Sequence, residues 1–369
     1  KVNLAYRWFC GLGLEDKVPH HSTFSVNRHG RFRESDILRK VFEEVVCGCM
    51  RAGLVGGEGF AVDASVIEAN ASRFQRVKGA EVDWTDEQRA SRPVREYLAA
   101  LESENPPTNP KQAPKALSPS DPAAAWTTRG RHKVMFGYSL NYLIDMEHAV
   151  IVDVEATPTR ISKEVDATET MIERTQERLA LKPERLAGDV AYGTGEMLGW
   201  LVERGIDPHI PVWDKGERDD GTFSRGDFVY DEEADCYSCP GGKILRTTGR
   251  LHSDRTYRYM AKKRDCDACP LKPRCCPNMP TRRVLRDPNE EARDYTRALM
   301  ETKAYRISRA ERKKIETLFG EAKHILSMVR LRLRGLTGAR DEFLLTATVQ
   351  NLKRLANHTT RPPPRPMIA

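Results

Sequence analysis

The stretch "HKVMFGYSLNYLIDMEHAVIVDVEATP", residues 132–158, decides the fold because it contains two β-rich runs, 132–145 and 148–158. Both runs are rich in the β-branched and aromatic residues that favour strands. Only "MEH" separates them, and so short a connection predicts an antiparallel hairpin.

Further elements follow on both sides of this hairpin. Upstream, "GFAVDASVIEAN" (59–70) opens with a short apolar strand pattern that carries Asp63. Downstream, an amphipathic helix (162–180), a strand (184–192), a helix near 195–204 and a strand (207–214) are predicted. This order of elements predicts an α/β fold in which a mixed sheet is flanked by helices.

The chain divides into five segments by composition. Residues 1–56 are predicted to be helical, and the start at Lys1 rather than methionine leads us to expect a missing N-terminal part. Residues 57–214 form the first part of the core, with a poorly ordered Pro-, Ala- and Ser-rich excursion at about 78–126. A polar, cysteine-bearing insertion (215–303), the last part of the core (304–358) and a tail (359–369) complete the chain.

Charge and hydropathy favour a nucleic-acid partner and exclude a membrane span. The 369 residues carry a formal charge of +7, and residues 301–369 alone hold 15 Lys/Arg against 6 Asp/Glu. A basic segment on a near-neutral body is typical of proteins that bind a polyanion. No apolar run approaches the roughly 18 residues that a membrane helix needs.

The basic segment contains "ERKKIETLFGEAKHIL", residues 311–326, which has helical periodicity. Ser308 and Glu311 have the spacing of a capping box at the helix start. At about 100° per residue, Arg312, Glu316 and Lys323 lie on one face beside the apolar stripe. This face is either a solvated ion-pair surface or a carboxylate held beside a bound polyanion.

Two further carboxylates favour the second interpretation. Asp63 and Asp189 each end an apolar strand pattern, and together with Glu316 they could converge at one edge of the sheet. Three adjacent carboxylates repel one another unless a cation is present. Two Mg²⁺ ions would there activate a water or a 3′-hydroxyl against a phosphodiester. Asp145 and Asp153 also end hairpin strands, although such aspartates commonly cap turns.

The cysteines of the insertion have metal-ligand spacing. "CYSC" (236–239) and "CDACPLKPRCC" (266–276) predict structural Zn²⁺ bound by Cys236, Cys239, Cys266 and Cys269. Cys275 is an alternative ligand, as is its neighbour Cys276. An iron–sulfur cluster is the alternative cofactor. Clustered thiols of this kind also indicate a reducing cytosol rather than disulfides.

Taken together, the motifs resemble those of the DDE transposases of bacterial insertion sequences. "AVDASVIEANAS" (61–72) is similar to their first-Asp motif, "AGDVAYGT" (187–194) to the second, and "ERKKIETLFGEAKHILSMVRLRLRGL" (311–336) to the Glu motif. Arg312, Glu316 and Lys323 have the Arg-x3-Glu-x6-Lys spacing of one group of the family. Arg309 stands where family members often have tyrosine, and Tyr305 lies one turn earlier.

The resemblance implies an RNase H-like core and a metal site of Asp63, Asp189 and Glu316 that binds Mg²⁺ or Mn²⁺. It also implies that residues 1–56 bind DNA ends, the terminal inverted repeats, and that the chain binds target DNA, cleaves at the element ends and transfers strands. A homodimer on DNA and a bacterial cytoplasmic, nucleoid-associated location are further expectations from the resemblance. The expected DNA contacts are Arg309, Arg312, Lys323, Arg330, Arg332 and Arg334. The alternatives are a non-catalytic DNA-binding remnant or regulator and a nuclease that only hydrolyses.

Overall fold

The computed structural model of the chain describes residues 10–20, 22–32, 35–78, 91–103, 116–129, 133–159, 161–214 and 220–360, together with Leu4 and Arg7. Its helices are α1 Thr23–His29, α2 Ile37–Arg51, α3 Arg92–Ser103, α4 Ile161–Leu179, α5 Gly195–Glu203, α6 Lys263–Asp267, α7 Lys272–Cys275, α8 Glu290–Met300, α9 Lys303–Glu311, α10 Lys314–His324 and α11 Leu336–Thr360. Its strands are β1 Gly59–Glu68, β2 Ala125–Arg129, β3 Lys133–Asp145, β4 Ile151–Pro158, β5 Arg185–Ala187, β6 Asp207–His209, β7 Val229–Asp231, β8 Cys236–Ser238, β9 Ile244–Arg246, β10 Tyr257–Met260 and β11 Arg283–Arg286. None of the helices described is long and apolar enough to cross a membrane.

Strands β1 to β6 form a mixed six-stranded sheet. The predicted hairpin is confirmed as the antiparallel pair β3–β4, and β3 also pairs antiparallel with β1 and β2. On the other side of β1, β5 and β6 follow in parallel. The α/β prediction is therefore confirmed, and the order β4-β3-β1-β5-β6 is consistent with an RNase H-like core.

Alternating side chains of β1 divide the core between the two faces of the sheet. Phe60 and Val62 pack on one face with α4 and α5, whereas Ala61 and Ile67 pack on the other face with α2, α10 and α11. Each fully buried side chain of the size of valine, isoleucine or phenylalanine contributes about 1.5–3 kcal/mol to folding. The odd-numbered positions of β1, among them Asp63, therefore face α10.

Strands β7 to β11 form a second, antiparallel sheet with sequential neighbours. Its small core is centred on Tyr237, Leu245 and Tyr259, whose rings and side chains pack together. Helix α8 follows and returns to the first sheet, where it packs against α5 and β6. Within the segment 215–303, a separate sheet thus spans residues 229–286.

The helix predicted from Ser308 is divided in two. Helix α9 begins after Thr302, whose hydroxyl accepts a hydrogen bond from the Tyr305 backbone N–H at 3.2 Å. The predicted capping box at Ser308 is wrong, because Ser308 lies inside α9, fully buried, and its hydroxyl hydrogen-bonds His209 Nδ1 at 2.7 Å. Arg312 and Lys313 form the turn between α9 and α10.

The excursion at about 78–126 contains defined structure. Residues 79–90 and 104–115 lie outside the described residues, but α3 and β2 lie within the excursion. Between them, Ala116, Leu117 and Ala124 are buried, and Tyr138 donates a hydrogen bond to the buried Asp121 at 2.6 Å. Because the segment is rich in Pro and Ser, its composition did not indicate that these apolar residues are buried.

Candidate active site

Asp63 lies on β1, on the face covered by α10. One carboxylate oxygen, Oδ1, accepts a hydrogen bond from the Ala64 backbone N–H at 2.8 Å, and the other, Oδ2, accepts one from Arg312 at 3.0 Å. Its side chain is 20% exposed. Asp63 is therefore accessible at the rim of the core rather than sealed inside it.

Arg312 links two of the predicted site carboxylates. Its guanidinium pairs with Asp63, and its Nη2 lies 3.8 Å from Glu316 Oε1. The Glu316 side chain is 62% exposed, so it is free to change its rotamer toward Asp63. Arg312 lies in the turn between α9 and α10, and its positive charge offsets the repulsion between the two acids that it contacts.

Asp189 lies two residues after the end of strand β5. Its carboxylate caps the 3₁₀ turn Val190–Tyr192 by accepting the Ala191 N–H at 2.8 Å. Because β5 lies beside β1 in parallel, Asp189 reaches the same edge of the sheet as Asp63.

The pKa of Asp63 shows that the three acids interact. Burial raises the pKa of Asp63 above its usual value, and the charges of Asp189 and Glu316 raise it further, although the Ala64 N–H and Arg312 oppose the shift. The charges of Asp189 and Glu316 therefore both reach Asp63. Their catalytic role remains a prediction.

Two more groups at this site were not expected from the sequence. Glu164, on α4, accepts a hydrogen bond from Ser139 at 2.6 Å; burial raises its pKa, and the charges of Asp63 and Asp189 add to the rise. Tyr192 is 2% exposed, and its buried hydroxyl has no hydrogen-bond partner among the described residues. The signal for Tyr192 was its position three residues after Asp189.

Lys323 is tied to the same strand as Asp63. Its ammonium donates a hydrogen bond to Ser65 Oγ at 2.5 Å. Ser65 lies two residues after Asp63, and alternate residues of a strand share a face. That spacing could have identified Ser65 from the sequence.

A line of arginines continues beyond Lys323. The segment after α10 joins the end of β1, where the Leu331 N–H donates to the Glu68 carbonyl at 2.8 Å. Leu331 is buried, whereas Arg330, Arg332 and Arg334 are exposed, and Arg334 donates a hydrogen bond to the Asn70 carbonyl at 2.9 Å. At about 3.3 Å per residue, Glu68 lies roughly 17 Å from Asp63 along β1. We call Lys323, Arg330, Arg332 and Arg334 the basic track.

Arg309 and Tyr305 have different surroundings. Arg309 is exposed on α9, one turn before Arg312. Tyr305 is 4% exposed and packs against the His209 ring, with 5.6 Å between ring centroids. Tyr305 therefore does not replace the tyrosine that the resemblance leads one to expect at position 309, because its ring belongs to the core.

The competing aspartates have structural partners. Asp145 accepts the backbone N–H groups of Gly56 and Gly57, both at 3.0 Å, and so joins two loops. Asp153 is buried and pairs with Arg39 at 2.5 Å and with Arg174 at 2.7 Å. The turn-capping and pairing roles suffice for both residues.

The six cysteines of residues 236–276 do not all lie along one cavity. Cys239, Cys266, Cys269, Cys275 and Cys276 line one cavity of about 20 Å³. Cys236 is buried on β8 and does not line this cavity.

The carboxylate cluster matches the chemistry of a hard divalent cation. Oxygen donors from Asp63, Asp189 and Glu316 are the type that Mg²⁺ prefers, and Arg312 already supplies positive charge between two of them. Across the described ranges, no three His, Cys, Asp or Glu side chains are gathered closely enough to hold a metal as they stand. Binding would require movement of the exposed Glu316 and of Arg312.

Two protein-family models match parts of the chain. A transposase DDE domain model matches residues 238–356, and a transposase domain model (DUF772) matches residues 1–30. No curated protein and no solved structure matches the chain. The matches confirm the similarity to DDE transposases that the motifs indicated.

Proposed function

We propose that this chain is an insertion-sequence transposase that cuts DNA at element ends and joins it to a target. The starting point is that residues 1–30 and 238–356 both match transposase models. The observation that carries the proposal is the bridge from Arg312 to Asp63 and Glu316, with Lys323 on Ser65 beside it. These contacts join the carboxylate cluster to the positively charged side chains of the basic track. Such a surface suits a phosphodiester whose neighbouring phosphates need neutralising.

Each residue has a separate task in this proposal. Asp63, Asp189 and Glu316 hold the divalent cations, which supply an activated oxygen nucleophile and stabilise the leaving oxygen when bound. Arg312 and Lys323 bind the phosphates that flank the reacting one, and Arg309 extends this contact on α9. The basic track orients the duplex along β1. An RNase H-like core, Mg²⁺ or Mn²⁺ as cofactor, terminal repeats as ligand and a dimer on DNA belong to the same proposal.

The test is metal-dependent nicking of a duplex that carries an element end. The full chain should nick it with Mg²⁺ or Mn²⁺, and Asp189→Asn should lower the rate at least about 10³-fold, since a metal ligand supports several kcal/mol of transition-state stabilisation. Asp166→Asn, a change of an exposed aspartate on α4, is the matched control.

Other outcomes separate the alternatives. Binding without nicking by the unsubstituted chain would favour a DNA-binding remnant. Nicking without joining of a supplied 3′-hydroxyl end would favour a nuclease that only hydrolyses.

A further inference from the structure

The cavity beside the second sheet gathers five thiols from three places in the chain. Cys239 comes from the turn between β8 and β9, Cys266 and Cys269 from α6 and its end, and Cys275 and Cys276 from the end of α7. The cavity volume of about 20 Å³ is close to that of a single water or ion site.

The turn after β8 is built around the sulfur of Cys239. The Cys239 N–H donates to the Lys243 carbonyl at 2.9 Å, and the Lys243 N–H donates to Cys239 Sγ at 3.3 Å. Gly242 adopts φ +70°, which residues with a side chain rarely adopt. Backbone N–H groups that point at a sulfur favour a thiolate, and hydrogen bonds of this kind orient and tune metal ligands.

The thiols of the turn and of the helices face each other across Gly241. A Cβ at Gly241 would lie 3.2 Å from Cys269 Sγ and 3.7 Å from Cys239 Sγ. Cys266, Cys275 and Cys276 line the same cavity as these two thiols. Cys276 is 5% exposed, and Cys275 is more exposed.

Strand pairing turns Cys236 away from this cavity. On β8, Tyr237 pairs with Leu245 and faces the core of the second sheet, whereas Cys236 pairs with Arg246. Successive side chains of a strand point to opposite faces, so Cys236 lies on the face opposite Tyr237. Cys239 lies beyond the end of β8 and packs against the same core as Tyr237.

We propose that Cys239, Cys266, Cys269 and Cys276 bind a thiophilic metal centre, and that Cys236 is not a ligand. Four sulfur donors suit a tetrahedral zinc ion or an iron–sulfur cluster. These thiols line one cavity, but no three side chains of the described ranges are close enough to hold a metal as they stand, so binding would draw the thiols together. The centre joins the β8–β9 turn to α6 and α7. It is independent of the DNA chemistry proposed above, because its donors and its location are separate from Asp63, Asp189 and Glu316.

The experiment compares metal content in the full chain and in four single variants, purified without oxygen. Elemental analysis for zinc and iron, with an assay for acid-labile sulfide, distinguishes a zinc ion from an iron–sulfur cluster. The unsubstituted chain, Cys236→Ser and Cys275→Ser should retain stoichiometric metal. Cys239→Ser and Cys276→Ser should lose it.

Two results would overturn the assignment: a metal-free unsubstituted chain, or loss of metal from Cys236→Ser. Loss from Cys275→Ser with retention in Cys276→Ser would overturn the choice of the fourth ligand. Should the metal-losing variants prove insoluble, cobalt substitution of the unsubstituted chain and of Cys236→Ser provides a second measurement. Identical thiolate-to-cobalt charge-transfer bands support the ligand set, and a changed band in Cys236→Ser contradicts it.

Discussion

Arg312 occupies a position between two acids that a divalent cation would otherwise share. Its distances of 3.0 Å to Asp63 and 3.8 Å to Glu316 make it the neutralising charge of the metal-free site. Metal binding must then compete with Arg312, which would turn toward a DNA phosphate. This competition would couple metal binding to DNA binding.

The first residue-scale prediction concerns this competition. Arg312→Gln should bind Mn²⁺ several-fold more tightly than the unsubstituted chain in the absence of DNA, because a competing cation is removed. Electron paramagnetic resonance of free Mn²⁺ measures the affinity. Lys313→Gln, which removes an exposed charge one residue later, is the control. Equal affinities in Arg312→Gln and the unsubstituted chain would contradict the competition.

The second residue-scale prediction follows from the raised pKa of Asp63. A carboxyl whose pKa is higher in the folded than in the unfolded protein contributes stability at low pH, and this contribution is lost as the pH rises through the folded pKa. At neutral pH the ionised form therefore costs stability.

Asp63→Asn should raise the metal-free Tm at pH 7 and abolish the rise in Tm that Mg²⁺ causes. Scanning calorimetry with and without Mg²⁺ measures both effects. Glu58→Gln, an exposed change just before β1, should alter neither. A lower metal-free Tm for Asp63→Asn would show that its pairing with Arg312 outweighs the cost of burial.

At the scale of elements, an ion-pair network fixes the helices on β4. Asp153 and Glu155 lie on this strand, and Arg39 from α2, Arg174 from α4 and Arg340 from α11 pair with them at 2.5–3.0 Å. Burial raises the pKa of Glu155, but Arg340 and Arg174 outweigh burial and hold its pKa below the usual value.

Glu155→Gln should lower the free energy of unfolding at neutral pH by about 1.5–3 kcal/mol, the contribution of charged hydrogen bonds. Since the folded pKa is depressed, this stability is present above the usual glutamate pKa and is lost as the pH falls through the folded pKa. Urea denaturation at neutral and acidic pH should therefore show a difference that shrinks at acidic pH. A difference that is constant with pH would argue against the ion pairs.

The loop that carries Asp189 is held close to the segment after β6. A Cβ at Gly193 would lie 1.9 Å from the Pro211 carbonyl oxygen and 2.9 Å from the Trp213 nitrogen, both backbone atoms. Gly193→Ala should therefore force the loop outward, cost about 1–3 kcal/mol and reduce nicking. Thermal melts and nicking assays measure the two effects.

Gly320→Ala is the opposite case on α10. Apart from the neighbouring backbone of α10 itself, no atom of the described residues lies within 4 Å of a Cβ at Gly320, so alanine should stabilise that helix by up to about 1 kcal/mol. For Gly193→Ala, a melting temperature equal to that of the unsubstituted chain would show that the close approach of Gly193 to Pro211 and Trp213 has no energetic consequence.

At the scale of the whole molecule, the basic track would set the direction of the DNA in the proposed function. Lys323 lies near Ser65, and the three exposed arginines continue past Glu68, away from Asp63. Each phosphate contact adds about 0.9 to the slope of log K against log salt concentration.

Replacing Arg330, Arg332 and Arg334 with alanine together should reduce that slope by at most about 2.7. Fluorescence anisotropy of a labelled duplex over a salt series gives the value. Arg51→Ala, an exposed arginine at the end of α2, should leave the slope unchanged. An unchanged slope in the triple variant would place the DNA elsewhere on the surface.

Periodicity and spacing within short windows determined much of this protein from the sequence alone. The β3–β4 hairpin, β1 with Asp63, helix α4 and the spacing of Arg312, Glu316 and Lys323 all follow from local patterns, because hydrophobic period and turn length are local properties. The same patterns misplaced the cap at Ser308, because burial against His209 outweighed local capping preference.

Only the tertiary structure decided which side chains meet. It paired Arg312 with Asp63, brought Glu164 and Tyr192 to the carboxylates, and turned Cys236 away from the other cysteines. The reason is that convergence depends on strand register and on which face of an element is buried. A shift of one residue along a strand changes the pairing partner of each residue and moves its side chain to the other face. The spacing of residues in the sequence does not show which register forms.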